Sequence, residues 1–320
     1  MHSARSGMLV ALVLAAAAPA LRAQNARCNP YSGRARNLCN AALDATHAYH
    51  PIVGLLTSGG NPVLGTSGAL GGLGHVQLTA RVNATHVVLP DPNYDGTTRT
   101  VGRGDALFFP SPIVEAAVGL YGGGPGGFLG LDLLGSAQLV PSNVVDNFFV
   151  DPGAPRIGSI ALGFGVGARI SVLDGRGGRP GVSVSLMRRM IPTVQYGNVS
   201  AGDMFSYAAD MHAWNVRATV GTQVSALTLA AGLGQDWYSG SALIEFRDPL
   251  LPAAPAPIGF TLSSARTMGF ADAGLDVAHI KLVGEAGYQL GKDEHLGTTF
   301  TDFDPSAGRF FASAGLAVAF

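Results

Sequence analysis

HVQLTARVNATHVV, residues 75–88, alternates apolar and polar side chains without a break from His75 to Thr85. Val76, Leu78, Ala80, Val82 and Ala84 share one face, and His75, Gln77, Thr79, Arg81, Asn83 and Thr85 share the other. A period of two is the mark of a β-strand, whose successive side chains point to opposite sides. A slip of one residue would exchange the two faces, so the pattern also fixes the register of such a strand.

The same alternation recurs down the chain. Leu129, Leu131, Leu133, Ala137 and Leu139 oppose Asp132, Ser136 and Gln138 within 128–140. Apolar residues oppose glycine, serine and Arg169 in 157–173, Asn215, Arg217 and Thr219 in 213–224, and Lys281, Glu285 and Gln289 in 279–290. Residues 309–320 close the series, and 112–122, 181–191, 227–247 and 262–277 are weaker members. In 181–191 Arg188 falls on the apolar face and is expected at a rim, beside Pro192. The set makes about ten strands, with eight or twelve if the 227–247 or 90–122 regions are joined or split. Each is near the ~9–11 residues that a tilted strand needs to cross hydrocarbon.

The connections alternate between short (122–127, 174–180, 222–226, 278–279) and long (90–111, 141–156, 192–205, 248–261, 291–308). Backbone groups in hydrocarbon need internal partners, and a sheet meets that demand only when closed. The expectation is all-β: a transmembrane antiparallel up-and-down β-barrel over 75–320, with a short non-barrel N-terminal segment. Short turns are periplasmic and long loops external in such barrels, which puts both termini in the periplasm of an outer membrane. A soluble two-sheet sandwich is the rival fold. Against it stand the strand lengths and a lysine complement of only Lys281 and Lys292.

Composition points the same way. Charged residues are 13% of the 320, against about 25% in soluble domains. Glycine, 45 residues, is about twice its usual share of roughly 7%. The net charge of −1 and the lack of a basic stripe exclude nucleic acid as an expected partner.

Residues 1–23 read as a secretory signal, with cleavage after Ala23 or nearby Ala26, because the apolar run from Met8 to Pro19 is too short to span a bilayer as a helix. Cys28 and Cys39 are the only cysteines, and in an exported chain they predict a disulfide. A metal pair with His47 and His50 is the other reading. Between them and the first strand, residues 24–74 form a periplasmic segment. It contains a helix from Ala41 to about Tyr49, capped by Asn40 and stopped by Pro51, and a stretch from Gly59 to Gly74 too glycine-rich to pack a core. The segment either plugs the lumen or is a stapled extension.

The inner faces collect Arg81, Arg169, Arg189, Arg217 and Lys281 against Glu115, Asp132, Asp272, Asp276 and Glu285. Charges in a narrow lumen are costly unless paired or hydrated, so cross-lumen ion pairs are expected, either filling the barrel or forming a selective constriction. Trp214, Trp237, Tyr288 and Phe310 fall at the outer strand ends and Phe320 at the inner end, as an aromatic girdle requires.

Catalytic signals are weak. No Gly-x-Ser-x-Gly elbow, P-loop, Rossmann fingerprint, EF-hand or HExxH is present, so no enzyme activity, cofactor or metal is expected. Asp210 with His212 and Asp293 with His295 are pairs that arise easily in loops by chance.

Arg309 to Phe320, with alternating apolar residues and a final aromatic, resembles the C-terminal signature of Gram-negative outer-membrane proteins. That resemblance implies recognition by the barrel-assembly machinery and contact with outer-membrane lipid and lipopolysaccharide. The stretch Ser58-Gly59-Gly60-Asn61-Pro62 is similar to a motif near the start of outer-membrane long-chain fatty-acid transporters, whose N-terminal segments lie inside the barrel. The functional expectation is a passive or weakly selective channel for small solutes. The alternatives are a closed-lumen structural or surface-interaction barrel, and a transporter of hydrophobic compounds. Oligomeric state is not legible.

Overall fold

The computed structural model describes residues 25–124, 127–141, 148–175 and 179–320. The expected signal at 1–23 lies outside the described residues, as do parts of the connections expected at 122–127, 141–156 and 174–180. Ten long strands form the wall: β1 (Val76–Pro90), β2 (Arg103–Tyr121), β3 (Gly130–Pro141), β4 (Ile160–Asp174), β5 (Gly181–Tyr196), β6 (Phe205–Val224), β7 (Leu227–Phe246), β8 (Ile258–Val277), β9 (Ile280–Gln289) and β10 (Arg309–Ala319). Each pairs antiparallel with its sequence neighbour. β10 returns to β1, from Gln77 opposite Ala319 to Thr85 opposite Phe311, so the sheet is closed. The chain is therefore an all-β, up-and-down antiparallel barrel.

Burial along the strands is the reverse of a water-soluble fold. On β1, Leu78 and Val82 are exposed, while Gln77, Thr79, Arg81, Asn83 and Thr85 are buried. The outer face carries Leu133, Val166, Ile170, Val184, Leu186, Leu233 and Leu282, all exposed. Soluble monomers rarely leave so continuous an apolar surface uncovered.

The strands run further toward the long-loop end than the alternation indicates. Residues 103–111, 192–196 and 205–212 were expected in or near loops and are strand. Pro110 and Pro112 lie beyond the last β2–β3 pair, Ile113 with Gln138, where β1 is the neighbour that β2 keeps among the described residues. Proline is tolerated where a strand has one free edge.

The N-terminal segment requires three corrections. Its helix, α1 (Gly33–Ser58), is far longer than expected, starts after Ser32 rather than Asn40, and continues through Pro51. Proline deletes one intrahelical hydrogen bond. Here α1 is buried along most of its length, so tertiary packing outweighs that local cost. The second correction concerns the glycine-rich stretch after α1. Gly59 takes φ +59° as the helix ends, and Val63, Leu64 and Asn61 are buried, so this stretch is part of the packed interior.

The third correction concerns direction. From the helix onward the chain descends antiparallel to β1: Tyr49 Oη donates to the Val88 carbonyl, Asn83 Nδ2 to Leu56, Arg81 Nη2 to Ser58 and Gln77 Nε2 to Leu64. Above it, Tyr31 packs on Phe246 at the long-loop end of β7, and Arg34 lies 3.7 Å from Asp248. Below it, Gly119 N donates to His75 O, and Phe320 pairs with Val76. Residues 25–32 thus stand at the long-loop end and Phe320 at the short-turn end. The segment is not an extension beside the C-terminus, and the two ends of the described chain do not share a side.

Candidate functional site

The site is the lumen and what fills it. At the long-loop end α1 is held by an aromatic cluster: Tyr49 stacks on Phe303 at 4.8 Å and faces Tyr207 at 6.0 Å. The Cys28–Cys39 disulfide, both cysteines fully buried, ties the first turn of this segment to the helix. His47 stacks on Phe260 at 5.6 Å, and burial pushes its imidazole down to about 4 despite the nearby Glu294 carboxylate. Asp44 accepts the amide protons of Gly297 and Thr298. Burial, the largest influence, pushes its carboxyl up to about 6 against those hydrogen bonds.

Lower down, the residues singled out from the inner faces converge. Arg81 Nε lies 3.0 Å from Glu115 and Nη1 lies 3.4 Å from Glu285. Arg189 Nη2 reaches the other oxygen of Glu115 at 3.0 Å, and Arg169 Nη2 lies 2.8 Å from Asp132. Arg217 forms a two-pronged pair with Asp236, at 2.6 and 3.1 Å. All of these groups are buried. Asp276 belongs elsewhere: its side chain is 39% exposed at the short-turn rim, 3.5 Å from Lys281.

The charges do more than pair with one another. Residues 59–70 have no regular secondary structure, so their backbone groups need other partners. Glu285 accepts Gly60 N at 2.9 Å and Asn61 N at 2.6 Å. Asp272 accepts Gly65 N and Asn61 Nδ2, each at 3.0 Å, and Asp132 accepts Leu70 N at 3.2 Å. In the other sense, Arg217 donates to the carbonyls of Gly60 at 3.0 Å and Gly59 at 2.9 Å, and Lys281 donates to Gly65 at 3.1 Å. Arg169 Nη1 donates to Thr66 Oγ1 at 2.6 Å. The wall supplies by side chain what a neighbouring strand would supply by backbone.

This cradle explains a glycine. A Cβ on Gly60 would lie 2.5 Å from Glu285 Oε2 and 2.6 Å from the Phe270 ring. Gly60→Ala is expected to displace the anchoring carboxylate and to cost about 1–3 kcal/mol, the usual range for overpacking. Denaturant titration of the refolded protein in detergent, followed by gel mobility, reads this loss.

Sequence reasoning missed Asp236, fully buried on β7, with Tyr238 donating to it at 2.7 Å and Asn215 at 2.7 Å. Counting by twos from exposed Leu233 and Trp237 places Asp236 inward, so the signal was present. It also missed Asn61, whose role depends on the threading of the segment.

The aromatics sit outside. Trp214 pairs with Trp237 across β6 and β7, and Tyr288 lies 4.6 Å from Phe310. Phe320 is exposed at the opposite end. Arg188 points outward with its guanidinium 5.3 Å from the Trp214 ring. Asp293 and His295 form an exposed pair at 3.0 Å, and Asp210 turns its carboxylate to the Ser241 amide. Among the described residues no group of three or more His, Cys, Asp or Glu side chains is arranged to hold a metal.

No protein-family profile and no curated protein matches the chain. Solved structures resemble it at a distance. The translocator domain of the autotransporter NalP from Neisseria meningitidis has a TM-score of 0.37 at 12% identity, covering 87% of this chain and 98% of that one. The Pseudomonas putida toluene transporter TodX has a TM-score of 0.25 at 9% identity, covering 81% and 96%. OmpT of Vibrio cholerae, expressed in the outer membrane, has a TM-score of 0.21 at 9% identity, covering 77% and 97%. At such scores the barrel rests on its own strand pairing, not on these likenesses.

Proposed function

We propose that this chain is a bacterial outer-membrane barrel whose lumen is stoppered at rest by its own residues 33–72, with the short turns and Phe320 in the periplasm and the long loops outside. The apolar outer belt, bounded by Trp214, Trp237, Tyr288 and Phe310 on one side and Phe320 on the other, supports the membrane placement. One observation carries the closed lumen: the buried wall charges Glu285, Asp272 and Arg217 are spent on the backbone of residues 59–65 rather than facing a water column. A wide passage for small solutes needs those charges hydrated. The closed-lumen alternative therefore fits better than a resting channel, and conduction belongs to a state in which the segment has moved. Planar-bilayer recording tests this. The full chain is expected to give no steady conductance, and a persistent open current would contradict the reading.

A further inference from the structure

We propose that the space between α1 and the wall is a binding site for one small, uncharged, apolar molecule, an inference that rests on the stoppered lumen described above. The helix packs mainly on β6 and β7 and only sparsely on β1, β2 and β8. There a cavity of about 110 Å³ lies among Ile52, Val53 and Leu56 of the helix and Val87, Ile191 and Met211 of the wall. A single water needs only ~10–15 Å³, together with two to four polar partners. This cavity has the room, and its surface is almost entirely carbon.

Most of the polar side chains that border it are already engaged, Asp210 with the Ser241 amide among them. Thr46 Oγ1 donates to Ala42 O, Thr57 Oγ1 to Gly54 O, Tyr49 Oη to Val88 O and Tyr196 Oη to Pro90 O. Ser111 Oγ accepts from Gln138, and His50 Nε2 lies 3.2 Å from the Asp210 carbonyl. An anion would lose its hydration here and meet no Lys or Arg among the lining residues, only the Asp210 carboxylate, whereas an apolar ligand exchanges water for carbon contacts.

The wall beside the cavity is where its ladders are least complete, which gives a way in that does not require the stopper to leave. The β4–β5 pairing stops at Phe164 with Met190, and beyond it β5 takes Phe148–Val150 as its partner. The β5–β6 register shifts between Ile191 and Val194, around Pro192. Phe109 and Phe148, with rings 5.7 Å apart, bridge the gap between β2 and that short strand. Among the described residues, this side of the cavity is bordered by side chains rather than by a continuous backbone ladder.

Equilibrium dialysis of the full chain in lipid nanodiscs, against empty nanodiscs, tests the site with naphthalene and with 1-naphthoate. The expected result is one saturable equivalent of naphthalene per barrel and no saturable 1-naphthoate. Ala209→Phe, or Val194→Phe should the first variant fail to fold, narrows the cavity and is expected to weaken naphthalene binding at least about tenfold. Folding is checked by heat-modifiable gel mobility. No saturable naphthalene, equal binding of the anion, or unchanged binding in a folded variant would each overturn the proposal. Conductance recorded on the same preparations separates the two readings: a closed barrel without naphthalene sinks only the binding site, and an open one sinks the stopper itself.

Discussion

Deleting residues 25–70 is expected to turn a silent barrel into a conducting one. A helix with its side chains is about 10–12 Å across, so its removal leaves a water column of similar width through the upper lumen. Asp272 then loses both Asn61 and Gly65, and Glu285 loses the amides of Gly60 and Asn61. Arg217, Lys281 and Arg169 lose partners in the segment too but keep Asp236, Asp276 and Asp132. Asp272, by contrast, has no ion-pair partner among the described residues, so the pore is expected to favour cations, read as a reversal-potential shift in a salt gradient. The barrel itself has a route to survive the deletion, because each wall strand is paired on both sides without the segment. A variant that migrates as a folded barrel yet stays silent would show that something other than this segment closes the lumen.

Arg217→Met is expected to have the largest effect of any single substitution on stability, a loss of about 3–5 kcal/mol. It removes both prongs of the pair with Asp236, leaving that carboxylate fully buried with only Tyr238 and Asn215 as donors. It also strips the carbonyls of Gly59 and Gly60 of their donor. Arg217→Lys should recover little, since an ammonium cannot serve a planar fork and two carbonyls together. The double variant Arg217→Met with Asp236→Leu should recover roughly half, because the stranded charge is gone while the carbonyls remain unsatisfied. Urea unfolding of the four proteins of that cycle gives the coupling directly. A single-variant loss below about 1 kcal/mol, the range of exposed pairs, would mean that the lumen is wet at this point.

The wall was legible in the sequence because a strand between lipid and interior obeys a two-residue period with inverted polarity, as 75–85 does. The strands were less legible above the belt, where Pro110, Pro112 and Pro192 interrupt it and neither face need be greasy. The inner charges could be placed one by one on the same parity, and Asp236 escaped only because β7 was read without assigning its faces. The stopper was a different problem. Pro51 ends a helix by local rules, and a run holding Gly59, Gly60, Gly65 and Gly68 looks unable to pack. Both inferences weigh the segment alone, whereas its hydrogen-bond partners lie on strands up to 225 residues away, as from Gly60 to Glu285. The same distance hides the direction of threading, which decides at which end of the barrel residue 25 stands.

Amide hydrogen exchange in detergent micelles tests the central claim most directly. Gly60, Asn61, Gly65 and Leu70 belong to no helix or strand, and their N–H groups donate to wall carboxylates. If residues 33–72 fill the lumen as described, these amides exchange as slowly as those of β1 and β10. Exchange at the rate of an unstructured chain, with the wall strands still protected, would show that the segment does not occupy the barrel.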